Sequence, residues 1–89
     1  MGRSFVCVKW IDAESSSGWV DTSEVKEAEL PVVHSVGWII RDDNNIVAVA
    51  QTIGGDDICG VMYIPRSMVK ETLVLSDPRD DRSETETTI

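Results

Sequence analysis

Covalent or acid–base chemistry in this chain would have to run through one histidine, His34, and two cysteines, Cys7 and Cys59. A thiol beside an imidazole can serve as nucleophile and base when a third group orients the ring. The spacing supplies no such arrangement. His34 sits beside Ser35 in an apolar run, no orienting group is evident, and it reads as a structural or surface histidine. The same three residues are too widely separated for a metal set, and there is no CxxC or EF-hand spacing. Asp42-Asp43 and Asp56-Asp57 read as solvated turn carboxylates. Gly54-Gly55 opens a hairpin turn and not a phosphate loop, because no GxxxxGK[ST] follows. The chain is expected to be no enzyme, with no catalytic, cofactor or metal residues.

Aromatic and cationic side chains are the remaining candidates for contact. Trp19 follows Ser15-Ser16-Ser17-Gly18. It reads first as an anchor folding its loop onto the body, and second as part of a contact surface. Trp10 and Trp38 lie in strand-like runs and are expected in the core. An outward tryptophan would stack on a base or bury in a partner. Tyr63 and Arg66 flank Pro65; Arg66 would either clamp a carboxylate or phosphate or balance nearby acids. Trp10, Trp19, Tyr63 and Arg66 are therefore the candidate partner or ligand contacts.

The whole-chain charge narrows the partner. Eight Lys and Arg oppose 16 Asp and Glu, a formal net charge of -8 over 89 residues. That balance argues against a phosphate-tracking surface and suits a basic partner or simple solvation. So short a chain is one domain and buries only about 60–65% of its unfolded surface, which makes self-association a natural supplement. Two cysteines are too few for a disulfide scaffold and are expected as buried free thiols. The opening MGRSFVCVKW fits no targeting segment, and Val6 stands where a myristoylation motif wants Ser or Thr. No apolar run approaches a membrane span. A cytoplasmic location is expected.

Strands are needed to position these residues. In residues 5–11, FVCVKWI, Val6, Val8 and Trp10 share one face and Phe5, Cys7 and Lys9 the other. Residues 14–19, ESSSGW, are a loop. Residues 21–30 are expected to form one or two helical turns capped by Asp21 or Thr22 and ended before Pro31, with a mobile acidic loop as the competing reading. Residues 32–40, 46–53 and 58–64 are three strands joined by RDDNN and GGDD turns, an antiparallel meander. Pro65 lacks a ladder donor and stops the fourth strand. Residues 65–68 fit one 3₁₀ turn, and residues 69–75 resume as the fifth strand. The domain is assigned to residues 1–75. Residues 76–89 read as an acidic disordered tail. Its closing Thr87, Thr88 and Ile89 match a PDZ-binding pattern too short to outweigh chance.

Five strands, a long first loop, short middle turns and a 3₁₀ turn before the last strand are the features of a small SH3-like or Sm-like barrel, in which strand five reaches strand one. The stretch Tyr63-Ile64-Pro65-Arg66-Ser67-Met68-Val69 resembles the end of many SH3 domains. With Trp10, Asp12, Ser15 to Trp19 and Ser35-Val36-Gly37-Trp38, it is similar to a family of small uncharacterised bacteriophage proteins. No ALYDY-like segment or tandem tryptophan is present, so Pro-rich peptide binding is not implied. The resemblance implies a phage origin and no established activity; the fold and the acidity, read beside it, lead to the expectation of a non-enzymatic binding module in the host cytoplasm. It would be homo-oligomeric and engage a host or phage protein or a small anionic ligand, counteracting host defence. The alternatives are a structural homo-oligomer of a virion or complex, and a nucleotide-sequestering protein with its site at a subunit interface. Nucleic acid and membrane are not expected as partners.

Overall fold

In a computed structural model that describes residues 3–79, the chain folds into one five-stranded antiparallel sheet. The strands are β1 (Phe5–Ile11), β2 (Val32–Asp42), β3 (Ile46–Gly54), β4 (Asp57–Pro65) and β5 (Val69–Val74). A five-residue helix, α1 (Thr22–Lys26), interrupts the first loop, and a 3₁₀ turn (Arg66–Met68) separates β4 from β5. Spatial order is β4-β3-β2-β1-β5. The fifth strand thus pairs with the first, while β4 and β5 are the sheet edges. Residues 80–89, which hold the PDZ-like pattern and most of the assigned tail, lie outside the described residues.

Local chemistry sets the strand ends. Asp43 makes the β2–β3 turn: its Oδ1 accepts the Asn45 and Ile46 N–H groups at 2.8 and 2.9 Å, an Asx-type turn. Gly55 adopts a φ of 63°, the left-handed geometry that a two-residue turn between paired Gly54 and Asp57 requires. Pro65 ends β4 opposite Ile46, and the Arg66 N–H then turns away to the Asn45 carbonyl at 3.0 Å. The five-residue helix is within the one or two turns expected of residues 21–30. Asp21 precedes it in extended backbone but makes no side-chain cap bond.

One face of the sheet carries the core. Val6, Val8 and Trp10 from β1, Val47 and Val49 from β3 and Ile64 from β4 form one buried cluster, against which Val33, Ile39 and Val69 pack. Period-two alternation in β1 explains its share, since the same residues fall on one side of the pleat. Among the described residues no second sheet covers this face, and α1 buries no residue. Val8 and Ile64 are nevertheless fully buried, so the sheet must curl over its own face.

Two register shifts and one glycine permit the curl. Ile40 is an extra residue in β2 against β3, and Lys70 an extra residue in β5 against β1. Such bulges bend a strand and raise its twist. At Gly37 a β-carbon would fall on the Ala50 carbonyl and 2.7 Å from Val49 Cγ1. Only glycine lets β2 approach β3 this closely. Gly37→Ala is expected to lower stability by about 2–3 kcal/mol through overpacking. Gly18→Ala, where a β-carbon would meet nothing within 4 Å, should leave it unchanged. Urea unfolding of both variants checks the pair.

Candidate functional site

The three tryptophans have three different environments. Trp10 lies in the core, 8% exposed, and its indole Nε1 donates to Ser35 Oγ at 3.0 Å. The bond satisfies the one polar atom that burial would otherwise strand. Trp10 is therefore a core residue and takes no part in a surface with Trp19.

Trp38 is half-buried on the opposite, outward face of β2, in register with Phe5 and Ala50, and not in the core. Its ring centroid is 4.9 Å from that of Phe5 with the planes tilted by 45°. Residues 76–79 cross over it. Trp38 Nε1 donates to Asp77 Oδ2 at 3.1 Å, and the Arg79 guanidinium carbon stands 5.1 Å from the ring centroid. Arg79 also holds Asp77 by paired side-chain bonds of 3.2 and 3.0 Å. The start of the assigned tail is thus laid across an aromatic pair.

Trp19 is the opposite case. It is fully exposed, so the expected anchoring of the first loop is not made. The loop is closed instead at its base, where Ile11 pairs with Val32 and the Asp12 N–H donates to the Pro31 carbonyl at 3.0 Å. Val20, Val25 and Leu30 are also more than half exposed on the same excursion. Together with Glu14, Glu24 and Glu29 they line a groove of about 530 Å³.

Tyr63 is exposed on edge strand β4, opposite Ala48. Arg66 is engaged with its own chain: its Nη2 donates to Asp42 Oδ1 and its Nε to the Asp43 carbonyl at 3.3 Å. The surface-balancing role of Arg66 is what the geometry displays. Arg41 is likewise paired with Asp43 at 2.7 Å. Lys9 stands between His34 and Glu71 on the outward face. Sequence reasoning missed the Arg66–Asp42 pair because β2 and the 3₁₀ turn meet only through the fold. It also missed the exposed apolar set on the first loop, although Val20, Val25 and Leu30 surrounded by acids was a visible signal.

Both cysteines are free thiols, but Cys7 is half-buried and Cys59 exposed, not buried as expected. Outward orientation of Cys7 and an edge-strand position for Cys59 explain this. His34 is exposed and makes no hydrogen bond to either cysteine among the described residues. Those residues hold no group of three side chains suited to a metal ion. No helix among them is long and apolar enough to cross a membrane. No family model, curated protein or solved structure matches the chain.

Two carboxylates titrate abnormally. Arg41 hydrogen bonding, aided by the Ile46 and Asn45 N–H groups, lowers Asp43 from 3.8 to about 2. The Arg79 side chain first, then its backbone N–H and the Trp38 indole, lower Asp77 from 3.8 to about 2. A folded-state value below the unfolded one stabilises the fold above pH 3.8, and that stabilisation disappears as pH falls through about 2. The Trp38 indole N–H resonance should therefore titrate with a midpoint near pH 2 in the wild type, and the transition should vanish in Asp77→Asn. An NMR pH series that shows a midpoint near 4 would contradict the contact.

Proposed function

We propose that the chain is a non-enzymatic binding module, bacteriophage-encoded, that engages a host protein or small ligand and thereby counteracts host defence. The observation that carries the binding role is Trp19, fully exposed on a loop whose base is closed. A large aromatic left in water gains free energy only when something covers it, and such residues dominate the energetics of interfaces. A 12–31 excursion this long inside a small domain fits the same role, since long closed loops are commonly functional.

The sheet order, the 3₁₀ turn between β4 and β5 and the curl over the core support the finer reading of an SH3-like or Sm-like barrel. The phage origin rests on the sequence resemblance. Arg41 and Arg66 meet at the β2–β3 turn, where carboxylates neutralise both, and Lys9 lies apart from them on the outward face of β1. None lines the loop groove or the cleft of about 400 Å³ beside Ile39 and Val74. Arg3 does line that cleft, but no aromatic side chain does, so neither of these two cavities pairs a cation with an aromatic platform as the nucleotide-sequestering alternative needs.

A homo-oligomeric assembly role is favoured by a separate observation. Edge strands β4 and β5 carry exposed Met62, Tyr63, Leu73 and Val74. Long apolar edges invite pairing with another chain.

Native mass spectrometry of protein isolated from expressing cells tests both. The expected spectrum contains a retained partner or ligand, and Trp19→Ala removes it without changing the fold, since the ring touches no core. A bare monomer would sink the module and the oligomer together.

A further inference from the structure

The first loop carries more negative charge than any other described region, and it carries exposed apolar side chains as well. Residues 12–31 contain six acids and one lysine. Val20, Val25 and Leu30 form the apolar lining of the groove, and among the described residues no cation joins Glu14, Glu24 and Glu29 in it. The three glutamates are exposed and make no ion pair among the described residues. Trp19, adjacent in sequence to the lining residue Val20, offers an open ring face.

We infer that this groove docks a cationic peptide segment bearing an apolar side chain. This rests on the binding-module reading and names the partner's chemistry. The apolar side chain enters between Val20, Val25 and Leu30, removing them from water. Lysine or arginine on either side pairs with Glu14, Glu24 and Glu29, and an arginine stacks on Trp19. The closed loop base holds the groove formed before binding, which lowers the ordering cost. Nucleic acid and anionic lipid are repelled by the same glutamates. A second copy would bring another net charge of -8 against them, so the occupant is a basic partner.

Fluorescence anisotropy with the full chain and three short labelled peptides tests the assignment. One peptide combines Arg with Leu, a second replaces Leu by Ser, and a third replaces Arg by Glu. The Arg/Leu peptide should bind best. Loss of its leucine should weaken binding about tenfold, the scale of one buried side chain. The Glu/Leu peptide should not bind. Combining Glu14→Gln, Glu24→Gln and Glu29→Gln should weaken the Arg/Leu peptide about tenfold, from three exposed pairs. Lys70→Gln on β5 should change nothing. The triple variant should keep the wild-type urea midpoint, because none of the three side chains is buried.

Equal binding of the Arg/Leu peptide by wild type and triple variant overturns the proposal, as does equal binding of the Arg/Leu and Glu/Leu peptides or no binding at all. Self-association that the triple variant strengthens, and that displaces the peptide, assigns the groove to a second copy and overturns it too. The two readings separate in the mass spectrum. A partner retained equally by wild type and triple variant leaves the module intact and rejects the groove. If no partner is retained and the peptides fail as well, both are rejected.

Discussion

A single sheet with one apolar face must find something to cover that face, because layered packing is the usual solution and the described residues supply no second layer. Among the described residues the one α-helix is five residues long and buries nothing. The sheet therefore covers itself. Val6 and Val8 on β1, Val47 and Val49 on β3 and Ile64 on β4 meet across the concave side. Gly37 permits the closest approach, and the extra residues Ile40 and Lys70 let β2 and β5 bend out of a flat ladder. Remove the curl and the core loses its lid, so every other feature rests on it.

The same constraint decides what stays outside. A core assembled from one curled sheet is small, and large apolar side chains remain on its edges and loops. Met62 and Tyr63 on β4, Leu73 and Val74 on β5, and Trp19, Val25 and Leu30 on the first loop are all exposed. The outward face manages part of this load internally. Trp38 lies beside Phe5 and under Asp77 and Arg79, with its N–H bonded to the Asp77 carboxylate. Among the described residues no comparable cover lies over Trp19. The loop region is therefore where binding a partner would remove the most apolar surface per residue.

Electrostatics divides along the same lines. Around the β2–β3 turn, cations are used locally: Arg41 holds Asp43, and Arg66 reaches from the 3₁₀ turn to Asp42. These pairs are exposed, so each contributes little to stability. Their effect is geometric, fixing the turn against the end of β4. The first loop shows no such neutralisation among the described residues, and its glutamates stand beside apolar side chains. Charge is thus balanced at the β2–β3 turn and unbalanced on the first loop, at the other end of β2.

The sequence alone determined the strands and their punctuation. Alternation in FVCVKWI placed Val6, Val8 and Trp10 on one face, and β1 has the predicted bounds. Asp43 and Gly55 set turns through their own local bonds and dihedrals, and Pro65 stopped β4 because it has no N–H to pair. Those signals act within a few residues, so they can be read without a fold. What each tryptophan faces could not be read that way. Trp10 and Trp38 both sit in strands, yet one is inward and the other lies under residues nearly forty positions away in sequence. Arg66 could be read as balancing nearby acids, but which acid it meets was settled only when the fold brought Asp42 to it, and Trp19 looked like an anchor until no surface came to meet it. Exposure and pairing depend on what another strand places opposite, and only the tertiary structure supplies that neighbour.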